Sequence, residues 1–269
     1  MQDTNWNLNC LFEPMEGLEP FRQLTRALKK PGVCSVYGPD DAQRAHLLAA
    51  AARRLDRPLL IIEPNDQAAA RMTEDLSVLL SGAARQLPAR DITFLKSAAS
   101  SRELSMRRIE ALGDCLCGGV KALVVSADAM LFRLAPAQDF AARVIRLSEG
   151  ERMEPADLMA RLTEAGYERV HLVEARGQCA LRGGILDVYP VGGPNALRVE
   201  FFDDEIDSIR SFDVMTQRSI SRRKEMRLYP AQEFLVDAEA RDRACEALRG
   251  MLETSTHSAA QYRQQEIEK

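Results

Sequence analysis

The stretch "ALRGGILDVYPVGGPNALRVEFFDDEIDSIRSFD", residues 180–213, alternates apolar and polar side chains in the way that is typical of β-strands. Leu197, Val199 and Phe201 occupy every second position, while "VGGPN" and "FDDE" supply turn residues. The same spacing joins further apolar pairs, namely Val170 and Leu172, Cys179 and Leu181, and Leu186 and Val188. The pattern predicts an antiparallel meander of about 45 residues, which is too small to be stable without further packing.

A helix is predicted immediately before the meander, and it offers that packing. Pro155 suits the first helical turn, Leu158 and Leu162 lie on one face, and Gly166 suits the C-terminal cap. A second helix is predicted over residues 238–252, after the short apolar segment "MRLYPAQEFLV". The part of the chain that begins near residue 149 is therefore expected to be a small α+β domain.

The N-terminal part alternates apolar runs with helical patterns. Helices are predicted over residues 40–55, 66–81 and 100–117. The apolar runs have strand character and cover residues 33–37, 59–62, 92–95, 120–125 and 144–147. Because strands that alternate with helices of this length form parallel sheets, residues 1–148 are expected to form an α/β domain.

Composition narrows the class of protein. The 269 residues carry a net charge of −4, which argues against electrostatic binding of nucleic acid over the whole molecular surface. A net negative charge is still compatible with a local basic patch. Six cysteines occur without CxxC pairs, so no zinc site is expected. No apolar run approaches the length of a membrane span, and the N-terminus lacks the pattern of a secretion signal. We expect a monomeric cytoplasmic protein without metal.

The stretch "VYGPDDAQRA", residues 36–45, occupies the place of a phosphate loop. The template requires a second glycine, a lysine and a hydroxyl residue, but counting from Gly38 places Gln43, Arg44 and Ala45 there. Arginine is a planar fork that does not replace a compact ammonium, and two aspartates add negative charge to the loop. We therefore predict that the loop binds no nucleotide and that Asp40 or Asp41 caps the following helix.

The segments "ALRGGILDVYP", "LRVEFFDDEIDSIRSFDVMTQRS" and "LYPAQEF" resemble the family of bacterial transcription-repair coupling factors, Mfd, and the related damage-recognition protein UvrB. "LPARDITFLKSAASSRELSMRRIEAL" and "VVSADAML" extend the resemblance over nearly all of the chain. The resemblance implies a UvrB-like, degenerate P-loop (RecA-like) lobe over residues 1–148. It also implies an inserted UvrA-binding domain over residues 149–213 and a truncated return to the lobe over residues 214–269.

The resemblance further implies an adaptor function. The module would recruit UvrA to a lesion-stalled RNA polymerase without being an enzyme itself, and it would need no cofactor. ATP, magnesium, DNA and RNA polymerase would be bound by other parts of the intact DNA translocase. By the family motif, Arg169 and Arg182 would contact UvrA, with added charge from Arg176, while a third family arginine is replaced here by Ala180.

Two other functions stay open at this stage. The lobe could bind or hydrolyse a nucleotide through a noncanonical loop, or the module could regulate the intact protein by holding the UvrA site closed. Asp128 follows a strand as a magnesium-binding aspartate does, but it lacks an adjoining acidic residue and is predicted at a helix start. The acidic run at residues 203–207 is predicted to be a solvated turn rather than a metal site.

Overall fold

The computed structural model describes residues 9–90, 98–234 and 238–253. The chain forms two compact units, one up to Glu233 and the other from Phe234 onwards. The second unit contains α8 (Ala238–Glu253), which confirms the helix predicted over residues 238–252. No helix in the described parts of the chain is long and apolar enough to cross a membrane. Those parts also hold no cluster of His, Cys, Asp and Glu residues suited to a metal ion.

A three-stranded parallel sheet organises the N-terminal part of the first unit. Its strands β1, β2 and β3 lie in the order β1-β3-β2, with both pairings parallel. The strands are β1 (Leu59–Glu63), β2 (Ala84–Leu87) and β3 (Ala122–Ser126). The helices of this part are α1 (Asn9–Glu16), α2 (Glu19–Ala27), α3 (Asp41–Leu55), α4 (Asp66–Leu79), α5 (Ala98–Leu116) and α6 (Ala137–Ala142). The mixed α/β class and the parallel pairing are therefore confirmed.

Two of the predicted strands differ in the structure, and a third lies outside the described residues. Residues 33–37 form no strand, and Val33 is 99% exposed. Strand propensity alone does not make a strand, because the stabilisation comes from packing against neighbouring strands, and none in the described chain pairs with this segment. The run at residues 144–147 does form β4 (Ile145–Ser148), but it pairs antiparallel with β11 (Glu225–Leu228) outside the parallel sheet. Residues 92–95 are not described.

The second large element is a six-stranded sheet of order β10-β9-β8-β7-β6-β5. Its pairings are antiparallel except for β5 with β6, so the predicted meander is confirmed for its central strands. The strands are β5 (Glu168–Arg169), β6 (Gln178–Arg182), β7 (Ile185–Val188), β8 (Ala196–Phe202), β9 (Glu205–Phe212) and β10 (Ser219–Arg223). Val170 and Leu172 lie outside the strands, and the sheet continues past residue 213 to Arg223.

The predicted helix α7 (Pro155–Glu164) packs against one face of this sheet. Leu158 and Leu162 are fully buried there, and Gly166 has a left-handed φ of +87° just beyond the helix, as its predicted cap position requires. Strands β4 and β11 contribute Leu147 and Leu228 to the same core. The core under the sheet therefore includes one segment that precedes the sheet in the sequence, β4, and one that follows it, β11.

A buried ion cluster joins three segments at the end of the first unit. Arg108 on α5 is 1% exposed and donates from Nε and Nη2 to the Glu233 carboxylate, at 2.8 and 3.0 Å. Arg90 approaches the same carboxylate at 2.7 Å, and Arg108 also donates to the Pro88 carbonyl. Burial raises the pKa of Glu233, but hydrogen bonds from Arg108 and Arg90 outweigh it and hold this pKa below its usual value.

Candidate functional site

The six-stranded sheet has one face on the core beneath α7 and an opposite face that carries charged side chains. Cross-strand pairing brings Ala180, Asp187, Arg198 and Arg210 side by side across β6 to β9. The next row pairs Arg182 with Ile185 and then Glu200. Because paired residues share a face, these side chains point away from α7. We call this surface, formed by Arg182, Asp187, Arg198, Glu200 and Arg210, the arginine face.

Asp187 is the centre of the arginine face. Its side chain is 1% exposed, and its two carboxylate oxygens accept from Arg198 Nε at 2.7 Å and Arg198 Nη2 at 2.9 Å. Arg182 Nη2 donates to the same carboxylate at 2.9 Å while 53% of its side chain stays exposed. One buried carboxylate therefore holds two guanidinium groups and fixes their orientation.

The neighbouring groups stiffen this arrangement. The Arg198 guanidinium lies 4.6 Å from the centre of the Phe212 ring and donates to Gln217 at 3.1 Å. Hydrogen bonding to Asp187 raises the pKa of Arg198. Arg210 approaches the Glu200 carboxylate at 3.5 Å, and Ser208 donates to that carboxylate at 2.6 Å. Three arginines thus face two carboxylates, which leaves the surface with an excess of positive charge.

Arg169 does not lie on the arginine face. It is exposed on β5 and pairs with Cys179, whose buried side chain belongs to the core beneath α7. Because side chains alternate along a strand, Arg182, three positions beyond Cys179, points to the opposite side. Burial raises the pKa of Cys179 to about 11, against the lowering effect of the nearby Arg169 charge. The structure therefore separates Arg169 from Arg182 by the thickness of the sheet.

Arg176 occupies the loop before β6, where its guanidinium has two local contacts. It donates to the Val191 carbonyl at 2.8 Å and lies 5.5 Å from the centre of the Tyr189 ring. Ala180, which stands where the family arginine is expected, is buried in a small apolar cluster with Val173 and Phe212. Arg176 therefore borders the apolar end of the outward-facing surface, whereas Arg182 lies at its charged end.

In the loop at residues 38–45, charged and polar side chains cap a helix and pair with one another. Asp40 accepts from the Gln43 backbone N–H at 2.8 Å, and the Asp40 backbone N–H donates to the Gln43 side chain at 3.2 Å. This reciprocal pair is a capping box at the start of α3, so the prediction that an aspartate caps this helix is confirmed for Asp40. Gly38 has a φ of +102°, in the left-handed region that favours glycine.

Arg44 stands where the template has lysine, and two carboxylates hold it. Its Nη1 donates to Asp41 at 2.9 Å, and its Nη2 donates to Glu63 at 2.5 Å. Glu63 ends β1 and is 5% exposed, so its charge depends on Arg44 for compensation. Ala45 is buried and supplies no metal ligand. The guanidinium of Arg44 is thus already satisfied within the protein.

The other acidic candidates have structural surroundings. Asp128 lies at the start of a short 3-10 helix (Ala129–Leu131), as predicted, but the cap is made by Ser126, whose Oγ accepts from the Ala129 N–H at 3.1 Å. Asp203 has a φ of +57° in the turn between β8 and β9. The predicted turn therefore covers Asp203 and Asp204 alone, whereas Glu205 and Asp207 lie on β9.

Sequence reasoning missed Asp187, Arg198, Glu200 and Arg210. A usable signal was present, because the inward positions Leu197, Val199 and Phe201 imply that Arg198 and Glu200 point outward. What the alternation could not supply was the strand register that places Asp187 between two arginines. The clearest sequence signal that was not used is the aspartate within the otherwise apolar segment "ILDV", residues 185–188.

Comparison with known proteins indicates the family to which this part of the sequence is similar. Residues 145–234 match the family model of the UvrB interaction domain. The transcription-repair-coupling factor of Bacillus subtilis (strain 168) is 32% identical over 231 residues, which are 86% of this chain and 20% of that protein. The transcription-repair-coupling factor of Myxococcus xanthus is 32% identical over 244 residues, which are 87% of this chain and 20% of that protein. UvrABC system protein B of Fervidobacterium nodosum is 24% identical over 233 residues, covering 81% and 35% of the two chains.

The fold and the match define this chain as one that carries a UvrB interaction domain. Over most of its length it is related to the transcription-repair-coupling factors and, at lower identity, to UvrB, which confirms the resemblance predicted from the sequence. The chain spans about a fifth of the length of these coupling factors, 20% in each case. The arginine face lies entirely within the matched residues.

Proposed function

We propose that this chain is a catalytically inactive, UvrB-like module that binds UvrA and recruits it to a lesion-stalled RNA polymerase. The observation that carries the proposal is the arginine face within the residues that match the UvrB interaction domain. Polymerase contacts, DNA translocation and ATP hydrolysis would belong to other parts of a longer protein. The chain itself would then act as an adaptor in the cytoplasm.

The chemistry of the arginine face supports a protein partner with acidic groups. Arginine is enriched in interfaces because its planar fork binds carboxylates bidentately and stacks on apolar surface. Arg182 is half exposed, yet Asp187 already fixes its orientation. Binding of a partner therefore costs little side-chain conformational entropy at Arg182. Arg198 supports Arg182 from the same carboxylate. We therefore propose Arg182 as the central contact.

Arg169 and Arg176 can join the same interface only if the partner extends around the sheet. Arg169 lies on the edge strand β5, next to the boundary between the two faces. A partner that wraps this edge can reach Arg182 on one side and Arg169 on the other. Arg176, which already donates to a backbone carbonyl, would contribute mainly charge.

The proposed lack of catalysis rests on the loop at residues 38–45, which we interpret as a degenerate phosphate loop. Its aspartate and glutamine serve as a helix cap, and its arginine is held by Asp41 and Glu63. A phosphate placed there would be repelled by the carboxylates of Asp40, Asp41 and Glu63, and it would compete with the last two for the Arg44 guanidinium. These contacts disfavour the alternative of a nucleotide-hydrolysing lobe.

The proposal is tested by titrating UvrA onto the immobilised 269-residue chain. The test variant is Arg182→Glu, which should abolish binding because it sets a carboxylate against an acidic partner surface. The matched control is Arg146→Glu, with the same charge change at an exposed position of β4. Equal binding by the wild type and Arg182→Glu, or equal loss in both variants, would refute the proposed site.

A further inference from the structure

Two adjoining cavities lie beside α2 and the C-terminal end of α3. One has a volume of about 650 Å³ and is lined by residues 27–34 together with Arg57. The other has a volume of about 480 Å³ and shares Lys29 with the first. The cationic residues that line the two cavities are Arg22, Arg26, Lys29, Lys30, Arg54 and Arg57. We call these six residues the basic cleft.

The charges of the basic cleft are poorly compensated. Glu16 is the acidic residue that lines either cavity, and it offers its backbone carbonyl to Arg22 Nε at 3.2 Å. Arg26 approaches Glu19 at 3.8 Å, but both side chains are mostly exposed, so this pair contributes little. Within residues 9–90, 98–234 and 238–253, no carboxylate forms an ion pair with Lys29, Lys30 or Arg57. The cleft therefore concentrates positive charge in a protein of net charge −4.

Helix dipoles account for only part of this cluster. Helices α2 and α3 end at Ala27 and Leu55, beside the cleft, and each C-terminus carries a partial charge of about −0.5. The two ends together offset about one of the cationic charges. The surplus that remains after Glu16 and Glu19 is still several units, so the helix ends explain why lysine and arginine are tolerated here but not why they are so many.

We propose that the basic cleft binds the phosphodiester backbone of nucleic acid, separately from the arginine face. The concave shape and the mixture of flexible lysines with arginine forks suit a row of phosphates. Phe21 and Thr25, on the inner side of α2, are buried, so this helix has no apolar face to insert into a membrane. Leu28 and Val33, which line the first cavity, are exposed, and the vesicle measurement below separates a membrane surface from nucleic acid. The cleft contacts backbone charge and reads no sequence.

The test measures binding of the 269-residue chain to a fluorescent 30-base-pair DNA duplex between 25 and 200 mM salt. A cleft that meets about four phosphates gives a slope of log K against log salt near −4. The double variant Lys29→Glu/Arg57→Glu should reduce the slope by about 2 and weaken binding about tenfold or more at the lowest salt. The matched control, Arg146→Glu/Arg223→Glu, carries the same charge change at exposed positions near the second sheet and should bind like the wild type.

Each outcome has one meaning. Loss of binding in the cleft variant alone, with its thermal unfolding unchanged, supports the proposal. Absence of DNA binding at 25 mM salt, equal loss in both double variants, or binding to phosphatidylserine vesicles in place of DNA overturns it. Titration of UvrA onto the same variants separates this proposal from the proposed adaptor function. The cleft variant should retain UvrA binding, and Arg182→Glu should retain DNA binding.

Discussion

The loop at residues 38–45 and the arginine face both hold arginines against carboxylates, but the balance of charge is opposite. In the loop, one arginine serves Asp41 and the buried Glu63, so its positive charge is consumed inside the protein. On the arginine face, the buried Asp187 serves both Arg182 and Arg198, and half of the Arg182 side chain remains exposed. Where carboxylates outnumber the arginine, its charge is neutralised within the protein. Where arginines outnumber the carboxylate, positive charge remains available to a partner.

Removal of Asp187 should have the largest effect on this contrast. Asp187→Ala leaves two guanidinium groups without their buried carboxylate, and breaking such a pair costs about 3 kcal/mol of unfolding free energy. Urea unfolding measures this cost. Glu200→Ala is the control, because its partly exposed pair with Arg210 should contribute less than about 1 kcal/mol. Equal, small losses in both variants would mean that Asp187 does not organise the face.

Truncation of Arg182 should separate binding from stability. Arg182→Ala should cost about 2 kcal/mol of UvrA binding, or roughly 30-fold in Kd, as for an interfacial arginine anchor. Unfolding free energy should change by less than about 1 kcal/mol, because Arg198 still compensates Asp187. Calorimetric titration with UvrA gives the first quantity.

Arg169→Ala sharpens the same experiment, because Arg169 lies on the other side of the sheet. A loss as large as that of Arg182→Ala indicates a partner that wraps the β5 edge. An unchanged Kd confines the interface to the arginine face. Unaltered binding in both single variants would contradict the proposed surface.

The capping box of the loop should account for a smaller effect. Asp40→Ala removes the acceptor for the Gln43 N–H and should lower the unfolding free energy by about 1 kcal/mol. Asp41→Ala, at a side chain that is 92% exposed, should lower it by about 0.5 kcal/mol or less. Thermal unfolding of both variants decides the matter, and a reversed order would show that the loop aspartates have other roles.

Nucleotide addition should have no effect at all on the loop. Titration of labelled ATP and magnesium should yield no saturable binding, because Arg44 is already paired and Ala45 offers no hydroxyl. A preparation purified away from contaminating ATPases should also release no phosphate above background. Saturable binding with a Kd below about 1 mM would contradict the prediction that the loop binds no nucleotide.

Local patterns in the sequence predicted local structure well, as particular residues show. Asp40, Pro155 and Gly166 mark helix ends through interactions with their immediate neighbours, and the structure places helix boundaries beside them. The segment at residues 33–37 failed as a strand because pairing is a property of the neighbour as well as of the segment. Propensity could not reveal that missing neighbour.

The candidate site depended on information that only strand register supplies. The family motif singled out Arg169 and Arg182 together, yet pairing of Arg169 with Cys179 sends them to opposite faces. Asp187 became a site residue only once β7 lay between Arg182 on β6 and Arg198 on β8. Contacts between strands that are distant in sequence lie beyond a reading of one strand at a time.

The buried ion cluster at Glu233 has a mechanical consequence. Glu233 is the last residue of the first compact unit, and Arg108 and Arg90 hold its carboxylate from α5 and from the segment after β2. Tension applied to the chain beyond Phe234 would pull on this carboxylate before it reached β11. Three contacts, two from Arg108 and one from Arg90, would share that load and resist the detachment of this chain end from α5.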